Sequence, residues 1–361
     1  IIWCLGNEEP AIQGTENGRM IVERMKAVQR KLDPTRPCTA AMNGSWGEGF
    51  TYAVDVQGSN YYKIGNIDAV HEKFPNLPCI FTDAKKGFHQ AYDRDVPGWG
   101  ARAQEWMRYV DARKFVAGAF VWTGFDYGGE AQLHFWPGVV SHFGILDYCG
   151  FPKDAFWYYK AWWTEEPVLH VLPHWNGIGT DSVDVHLYTN MDEVELFLNG
   201  KSLGKKTVEK FDIPAWRVKY TPGKLLAKGK KNGKKYTELV ETTGNPASLQ
   251  LVSENGTSIQ GDGNDVAIIT VKVLDAKGRV VPTAENGIHF DVRNGKILGV
   301  GNGNPCSQEP DVFPAGSDVH RNAFNGYAQV LVTSDRSGQP IELTAVSEGL
   351  KESKIIVEVT K

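Results

Sequence analysis

Long hydrophobic runs are missing from this 361-residue chain, and none approaches the about 18 consecutive apolar residues of a membrane-crossing helix, so no helical span is expected. An excess of either charge is missing too. Lys plus Arg number 39 against 43 Asp plus Glu, a formal net charge of -4, which offers no polyelectrolyte face and excludes nucleic acid as the expected partner. Cysteine is scarce: Cys4, Cys38, Cys79, Cys149 and Cys306 are odd in number and show no Cys-x-x-Cys spacing. That pattern points neither to a cysteine zinc site nor to a disulfide framework, and no metal or cofactor is expected. An initial Met and a leader segment are also lacking. The chain opens in mid-strand and is expected to continue a longer protein.

Aromatic residues, by contrast, make up 11% of the sequence, and most of the 11 Trp precede position 180. They suit stacking on the flat faces of sugars and suit an α/β core equally well. In the same region strands and amphipathic helices alternate. The stretch Arg19 to Leu32 carries Met20, Ile21, Met25, Val28 and Leu32 at helical spacing and stops at Asp33-Pro34. A strand is predicted over Cys38 to Met42, an extended segment over Ala53 to Tyr62, and a helix over Ile67 to Phe74. A strand over Leu77 to Thr82, a helix over Gly100 to Arg113, a strand over Val116 to Trp122 and a helix over Lys153 to Trp163 complete the series. This order implies a parallel sheet with helical crossovers. Five such strands are too few to close a (β/α)8 barrel and would leave two long edges, so the missing strands are expected outside this chain.

From Val168 the texture changes to period-two alternation with Asn-Gly and Lys-Gly turns. Asn199-Gly200 and Asn232-Gly233 read as hairpin turns, because both residue types accept positive φ. The basic run Lys228 to Lys235 reads as a solvated hairpin rather than an anionic glycan contact. A break near Thr242 to Pro246 starts a second all-β unit. Within it Gly261-Asp262-Gly263-Asn264-Asp265 lacks the ligand series of an EF-hand and reads as a turn. The expected fold class is thus α/β plus all-β: a partial (β/α)8 TIM barrel, about strands 4 to 8, over 1–165, followed by immunoglobulin-like β-sandwiches over 166–243 and 244–361.

The chemistry is concentrated where the opening strand ends in Asn7-Glu8, the place at which barrel enzymes carry catalytic side chains. Trp3-Cys4-Leu5-Gly6-Asn7-Glu8 resembles the Trp-Ser-Leu-Gly-Asn-Glu strand of glycoside hydrolase family 2, the β-galactosidase and β-glucuronidase family. Three further segments resemble that family in the same order. They are Val56-Gln57-Gly58-Ser59-Asn60-Tyr61-Tyr62, Gly118-Ala119-Phe120-Val121-Trp122 with Asp126-Tyr127, and His142-Phe143-Gly144-Ile145-Leu146-Asp147 through Phe151-Pro152-Lys153.

The resemblance implies a retaining, exo-acting glycoside hydrolase, for which Glu8 is the general acid/base and Asn7 binds the sugar 2-hydroxyl. A retaining enzyme needs one carboxylic acid to protonate the departing oxygen and later to deprotonate water. Tyr61 would then bond the nucleophile, Trp122 would be a sugar platform, and His142 would touch a sugar hydroxyl. The departure from the family is the nucleophile: the strand Leu77 to Thr82 is followed by Asp83 where the family has Glu. Either the site is degenerate, or a stretch is omitted after Ile80 and Asp83 is a loop residue. Omission is favoured, and a break is expected at Ile80 to Phe81.

Relatives acting on glucuronides carry Asn-x-Lys at the barrel exit, whereas Ser141, His142 and Phe143 stand there in this chain. Without a cation for a carboxylate, a neutral sugar is expected, galactose first, with β-mannoside and β-glucuronide activities left open. The expected partner is an oligosaccharide or polysaccharide, the expected location periplasmic or secreted, and a homo-oligomer is left open. Two other classes stand against this reading: a catalytically degenerate carbohydrate-binding or cell-surface protein, and a purely structural exoprotein.

Overall fold

The computed structural model describes residues 1–61, 65–83, 98–130, 136–177 and 181–360. Backbone contacts divide it into two compact units, Ile1–Gly124 with Lys210–Ile213, and Phe125–Glu209 with Pro214–Lys361. No helix among the described residues is long and apolar enough to cross a membrane.

The first unit is built on a five-stranded parallel sheet whose spatial order follows the chain: β1 (Trp3–Asn7), β2 (Cys38–Met42), β3 (Gln57–Asn60), β4 (Cys79–Asp83) and β5 (Val116–Ala119). Helices α1 (Glu16–Leu32), α2 (Asn66–Lys73) and α3 (Gly98–Asp111) lie in the crossovers. Every residue of β2 and β3 is buried, as expected of parallel strands covered on both faces. Small side chains let the strands pack closely: a Cβ at Gly58 would stand 2.2 Å from the Ala40 carbonyl oxygen.

The strand β4 runs without interruption through Ile80 and Phe81, which pair with Gly58 and Ser59. Phe81 is fully buried and its carbonyl accepts a 2.9 Å hydrogen bond from the Phe120 amide. The expected break at this junction is therefore corrected, because the ladder on both sides of β4 holds it as one strand. Asp83 is the last residue of that strand, and 84–97 lie outside the described residues.

Helix α1 ends at Leu32 as the spacing predicts but starts three residues before Arg19, at Glu16, with the Thr15 side chain accepting from the Gly18 amide at 3.1 Å. Its inward face is narrow, however, consisting of Gly18, Val22 and Gln29. The apolar residues Met20, Ile21, Met25, Val28 and Leu32 are exposed, up to 82% at Leu32. β1 has one strand partner among the described residues, so both this helix face and that sheet edge are open.

In the second unit, the segment before α4 (Asp154–Trp163) is organised by a buried ion pair. The Lys153 ammonium lies 2.7 and 2.6 Å from the two carboxylate oxygens of Asp126, with both side chains at most 1% exposed. Asp126 also accepts from the Gly144 amide at 2.8 Å, which fixes the stretch carrying His142. Burial pushes the Asp126 carboxyl up and the Lys153 ammonium down, and their mutual attraction opposes both shifts. Nearby Asp147 accepts from the amides of Cys149 and Phe151, each at 2.9 Å. Burial nevertheless pushes its carboxyl from 3.8 up to about 6.

The rest of this unit is antiparallel β-structure. A three-stranded sheet (Ala215–Lys219, Ser182–Thr189, Leu169–Leu172) and a four-stranded sheet (Lys234–Glu241, Lys224–Lys231, Glu193–Leu198, Lys201–Thr207) share a core that includes Val171, Val185, Leu187, Val194, Leu196 and Leu225. A second pair of sheets follows. The first holds Pro246–Ser253, Val266–Asp275, Tyr327–Ser334 and Gly295–Gly301; the second holds Ser258–Gln260, Ser353–Thr360, Ile341–Val346, Gly287–Arg293 and Val319–Asn322. Ile269, Val271, Val330, Ile288, Leu343 and Val357 fill the space between them.

The hairpin signals hold: φ is 49° and 83° at Asn199-Gly200, and 49° and 79° at Asn232-Gly233. The basic run forms the hairpin around the second of these turns, with the Lys228 ammonium 4.4 Å from the centre of the Phe197 ring. Asp262 turns its carboxylate onto the amides of Asn264 and Asp265, at 2.8 and 2.9 Å, so the acidic segment is a turn that caps itself.

Two predictions follow from the buried charges. Lys153→Ala leaves Asp126 buried without its cation and should cost about 3–5 kcal/mol of stability in urea unfolding, part of which Asp126→Asn in the same chain should restore. Asp147 holds its proton more tightly folded than unfolded, so its stabilising contribution is complete below pH 3.8 and lost as pH rises through about 6. Asp147→Asn, which cannot ionise, should therefore gain about 1–3 kcal/mol relative to the parent protein between about pH 4 and about pH 8, read from urea midpoints at both values.

Candidate active site

In a parallel sheet all strands end on the same edge, so the tips of β1, β3, β4 and β5 bring Asn7, Asn60, Asp83 and Ala119 to one side of the first unit. Glu8 follows β1 directly. Its backbone is in the left-handed region, at φ 54°, which is sterically costly for a residue with a Cβ and needs support from its surroundings. Part of that support is a 2.8 Å hydrogen bond from the Glu8 amide to the Ala41 carbonyl on β2. A register shift in the β1–β2 ladder between Cys4 and Asn7 accompanies it.

The side chain is held by Asn60, which is only 3% exposed. Asn60 Nδ2 donates to Glu8 Oε1 at 2.8 Å and to Asn7 Oδ1 at 3.3 Å, and Asn60 Oδ1 accepts from the Thr82 hydroxyl at 2.6 Å. A carboxylate only accepts, so the amide nitrogen must face Glu8 and the amide oxygen must face Thr82. One buried amide thus ties the ends of three strands together and aims the carboxylate. Asn60 stands within the sequence motif Val56 to Tyr62 without being one of the expected site residues. An amide at the end of a buried strand just before a tyrosine was the available signal.

Tyr61 comes next and is a second non-glycine residue with positive φ, at 59°. The tips of β1 and β3, which flank β2, are therefore both followed by strained residues, which is the pattern of a site whose side chains are placed at the expense of the backbone. Asp83 lies opposite Asn60 in the β3–β4 ladder, and its side chain lies outside the described residues. Beyond β5, Trp122 is 40% exposed and Phe120 43%, and the Trp122–Thr123 peptide is cis. Glu8, Asn7, Asn60, Tyr61 and Trp122 therefore all follow the carboxyl ends of one sheet.

His142 belongs to the second unit. It is buried together with Ser141 and Phe143 on the stretch that Asp126 fixes, and the Ser141 hydroxyl accepts from the Tyr127 amide at 3.1 Å. Gly144 next to it cannot be replaced easily, since a Cβ there would stand 2.2 Å from the Asp126 amide nitrogen.

The chain resembles known proteins along nearly its whole length. Residues 249–356 match the profile of glycoside hydrolase family 2 C-terminal domain 5, and residues 180–237 match a domain of unknown function. Beta-galactosidase BoGH2A of Bacteroides ovatus is 36% identical over 386 residues, covering 96% of this chain and 44% of that protein. A putative beta-glucuronidase of Formosa agariphila is 32% identical over 312 residues, covering 82% of this chain and 30% of that protein. Among solved structures, a beta-glycosidase from Bacteroides vulgatus superposes with a TM-score of 0.83 at 29% identity, over 99% of this chain and 51% of that one. A glycosyl hydrolase family 2 member from Bacteroides cellulosilyticus gives 0.85 at 28% identity, over 100% of this chain and 49% of that one. The chain thus spans about half or less of the length of these relatives. Sequence identity and backbone agreement extend together through both units, and the chain belongs to glycoside hydrolase family 2.

Proposed function

We propose that this chain carries the acid/base side of the active site of a retaining, exo-acting glycoside hydrolase, with β-galactosidase as the first activity. The observation that carries the proposal is the Asn60-bridged pair Asn7 and Glu8 at the tips of the parallel strands. Glu8 protonates the departing glycosidic oxygen and later takes a proton from the attacking water. Asn7 holds the sugar 2-hydroxyl, Tyr61 bonds the nucleophile, Trp122 stacks on the sugar, and His142 contacts a hydroxyl. The substrate is an oligosaccharide or polysaccharide, met in the periplasm or outside the cell.

On this reading the five strands are the last five of a (β/α)8 barrel within 1–165, and 166–243 and 244–361 are immunoglobulin-like accessory domains. The open edge of β1 and the exposed apolar face of α1 support the barrel, since both are surfaces that further strands and helices would cover. The contact-based division differs in grouping Phe125 onward with the β-rich part.

The second carboxylate is assigned to a segment that this chain does not contain. Its support is the length of the BoGH2A alignment: 386 residues against 96% of a 361-residue chain requires stretches of that relative, several tens of residues in all, with no counterpart here. The alternative nucleophile, Asp83 at the tip of β4, is one methylene shorter than Glu, and a displacement of about 1 Å costs about 100-fold in rate. A degenerate site that only binds carbohydrate is the second reading, favoured by Asp83 and by the tandem β-rich domains. For the sugar, Ser141, His142 and Phe143 supply no lysine, which supports a neutral substrate.

Two measurements on the full-length protein test the proposal. Glu8→Gln keeps the shape but not the titrating proton, so turnover of a galactoside with a poor leaving group should fall by about 10²–10⁴-fold, while bond cleavage in an activated aryl galactoside suffers much less. Unchanged turnover of the poor substrate would remove Glu8 from the acid/base role, and a carboxylate separation of about 6.5–9.5 Å instead of about 5–5.5 Å would point to inversion. Asn60→Ala should lower stability by about 1–3 kcal/mol and raise the energetic cost of placing Glu8, seen as a loss in kcat for both substrates. Full activity in Asn60→Ala would show that the bridge does not position the acid.

A further inference from the structure

We propose that His289, Asp318 and His320 form a binding site for one divalent transition-metal ion of the zinc type on the outer face of the C-terminal sandwich. The two histidines lie directly opposite each other in the antiparallel ladder between Gly287–Arg293 and Val319–Asn322. Cross-strand neighbours have Cβ atoms about 4.5–5.5 Å apart, so the backbone itself brings the imidazoles together, and their ring centres are 5.6 Å apart. Asp318 stands just before the second strand and turns its carboxylate between them. His289 Nδ1 is 3.0 Å from Asp318 Oδ2, and His320 Nδ1 is 3.8 Å from the same oxygen.

These spacings decide the assignment. Ligands at about 2.0–2.1 Å around a tetrahedral ion stand about 3.3 Å from one another, a value that 3.0 and 3.8 Å bracket. The ligand atoms of all three groups lie within 4.8 Å of one another, so closing on an ion needs only small movements of exposed side chains. Two imidazoles and a carboxylate suit zinc, and the fourth position would be water.

The surroundings also restrict the ligands. The Asp318 carbonyl oxygen is also 3.0 Å from His320 Nδ1, so in the ion-free chain that nitrogen donates to it, and an ion bound through Nδ1 would take the place of this proton. Phe313, which packs on the sandwich core, meets the His320 ring edge-on at a centroid distance of 5.1 Å. Hydrogen bonding alone would not require the second histidine to face the same carboxylate.

The position suggests what the ion would do. Val319–Asn322 is an edge strand of 4 residues that follows the long connection after Gly301. An ion held by both strands would staple that edge to Gly287–Arg293, contributing stability through binding to the folded state alone. The cysteine spacing bears on thiolate sites alone, and this site uses no thiolate.

Calorimetric titration of the EDTA-treated chain with zinc chloride tests the proposal, after alkylation of the exposed Cys4 thiol. One equivalent of zinc should bind, and the thermal midpoint should rise with zinc. His289→Gln and His320→Gln should each weaken binding at least about tenfold, and the double variant should lose both the binding and the thermal shift. The two histidine side chains are 52% and 43% exposed, and circular dichroism checks that the variants keep their fold; Asp318→Asn gives a third, independent reduction. Cobalt in place of zinc should show the visible bands of nitrogen and oxygen ligands without thiolate charge transfer. Absence of saturable binding up to millimolar zinc, or unchanged affinity in the double variant, would overturn the assignment. None of these readouts uses glycoside hydrolysis, so they stand apart from the activity proposed for Glu8.

Discussion

The hydrogen bond from a buried amide, Asn60, to the carboxylate of Glu8 is the contact on which the candidate site depends. A carboxylate at the end of a strand is free to rotate, and catalysis by proton transfer requires it to stay within hydrogen-bond reach of one oxygen. Asn60 limits it by accepting from Thr82 on one side while donating to Asn7 and Glu8 on the other. For this to work, β1, β3 and β4 must hold a common register at their carboxyl ends. The small buried residues of β2 and β3 make that register tight, with Gly58 pressed against the Ala40 carbonyl. The price of the arrangement is visible in the backbone, where Glu8 and Tyr61 both have positive φ.

A different kind of constraint governs the second unit. There the stretch with His142 carries little regular structure, and a buried charge pair takes the place of a ladder. Asp126 reaches both Lys153 and the Gly144 amide, so one carboxylate ties down two later points of the chain. Burying both charges is costly, and the pair is tolerable because each satisfies the other and the backbone completes the carboxylate's shell. The β-sandwich cores beyond it need no such device, since alternating apolar side chains of paired sheets fill them.

Much of this was legible in the residues. Period-two alternation marked the part of the chain that is built of antiparallel strands, and Asn199-Gly200 and Asn232-Gly233 located two of its turns, because backbone φ at those positions depends on the residue itself. The helical spacing of α1 was equally clear, yet its apolar residues face outward, since spacing reports a periodicity and not which layer covers it. The break expected at Ile80 to Phe81 is not there, because both residues pair with β3 as parts of one strand. The local strand signal was the better guide.

What the sequence determined by itself was the order of strands and helices up to about Trp163, the change to antiparallel β-structure after it, the family resemblance and Glu8 as the candidate acid, all of which depend on local propensity or a contiguous motif. Tertiary structure alone decided which partner holds that acid, because Glu8 and Asn60 are 52 positions apart and meet only once parallel strands align their ends. It also decided that His289 and His320 face one another across a ladder, which no spacing along the chain encodes. Strand register sets both, and register is fixed by the packing of whole faces rather than by any single residue.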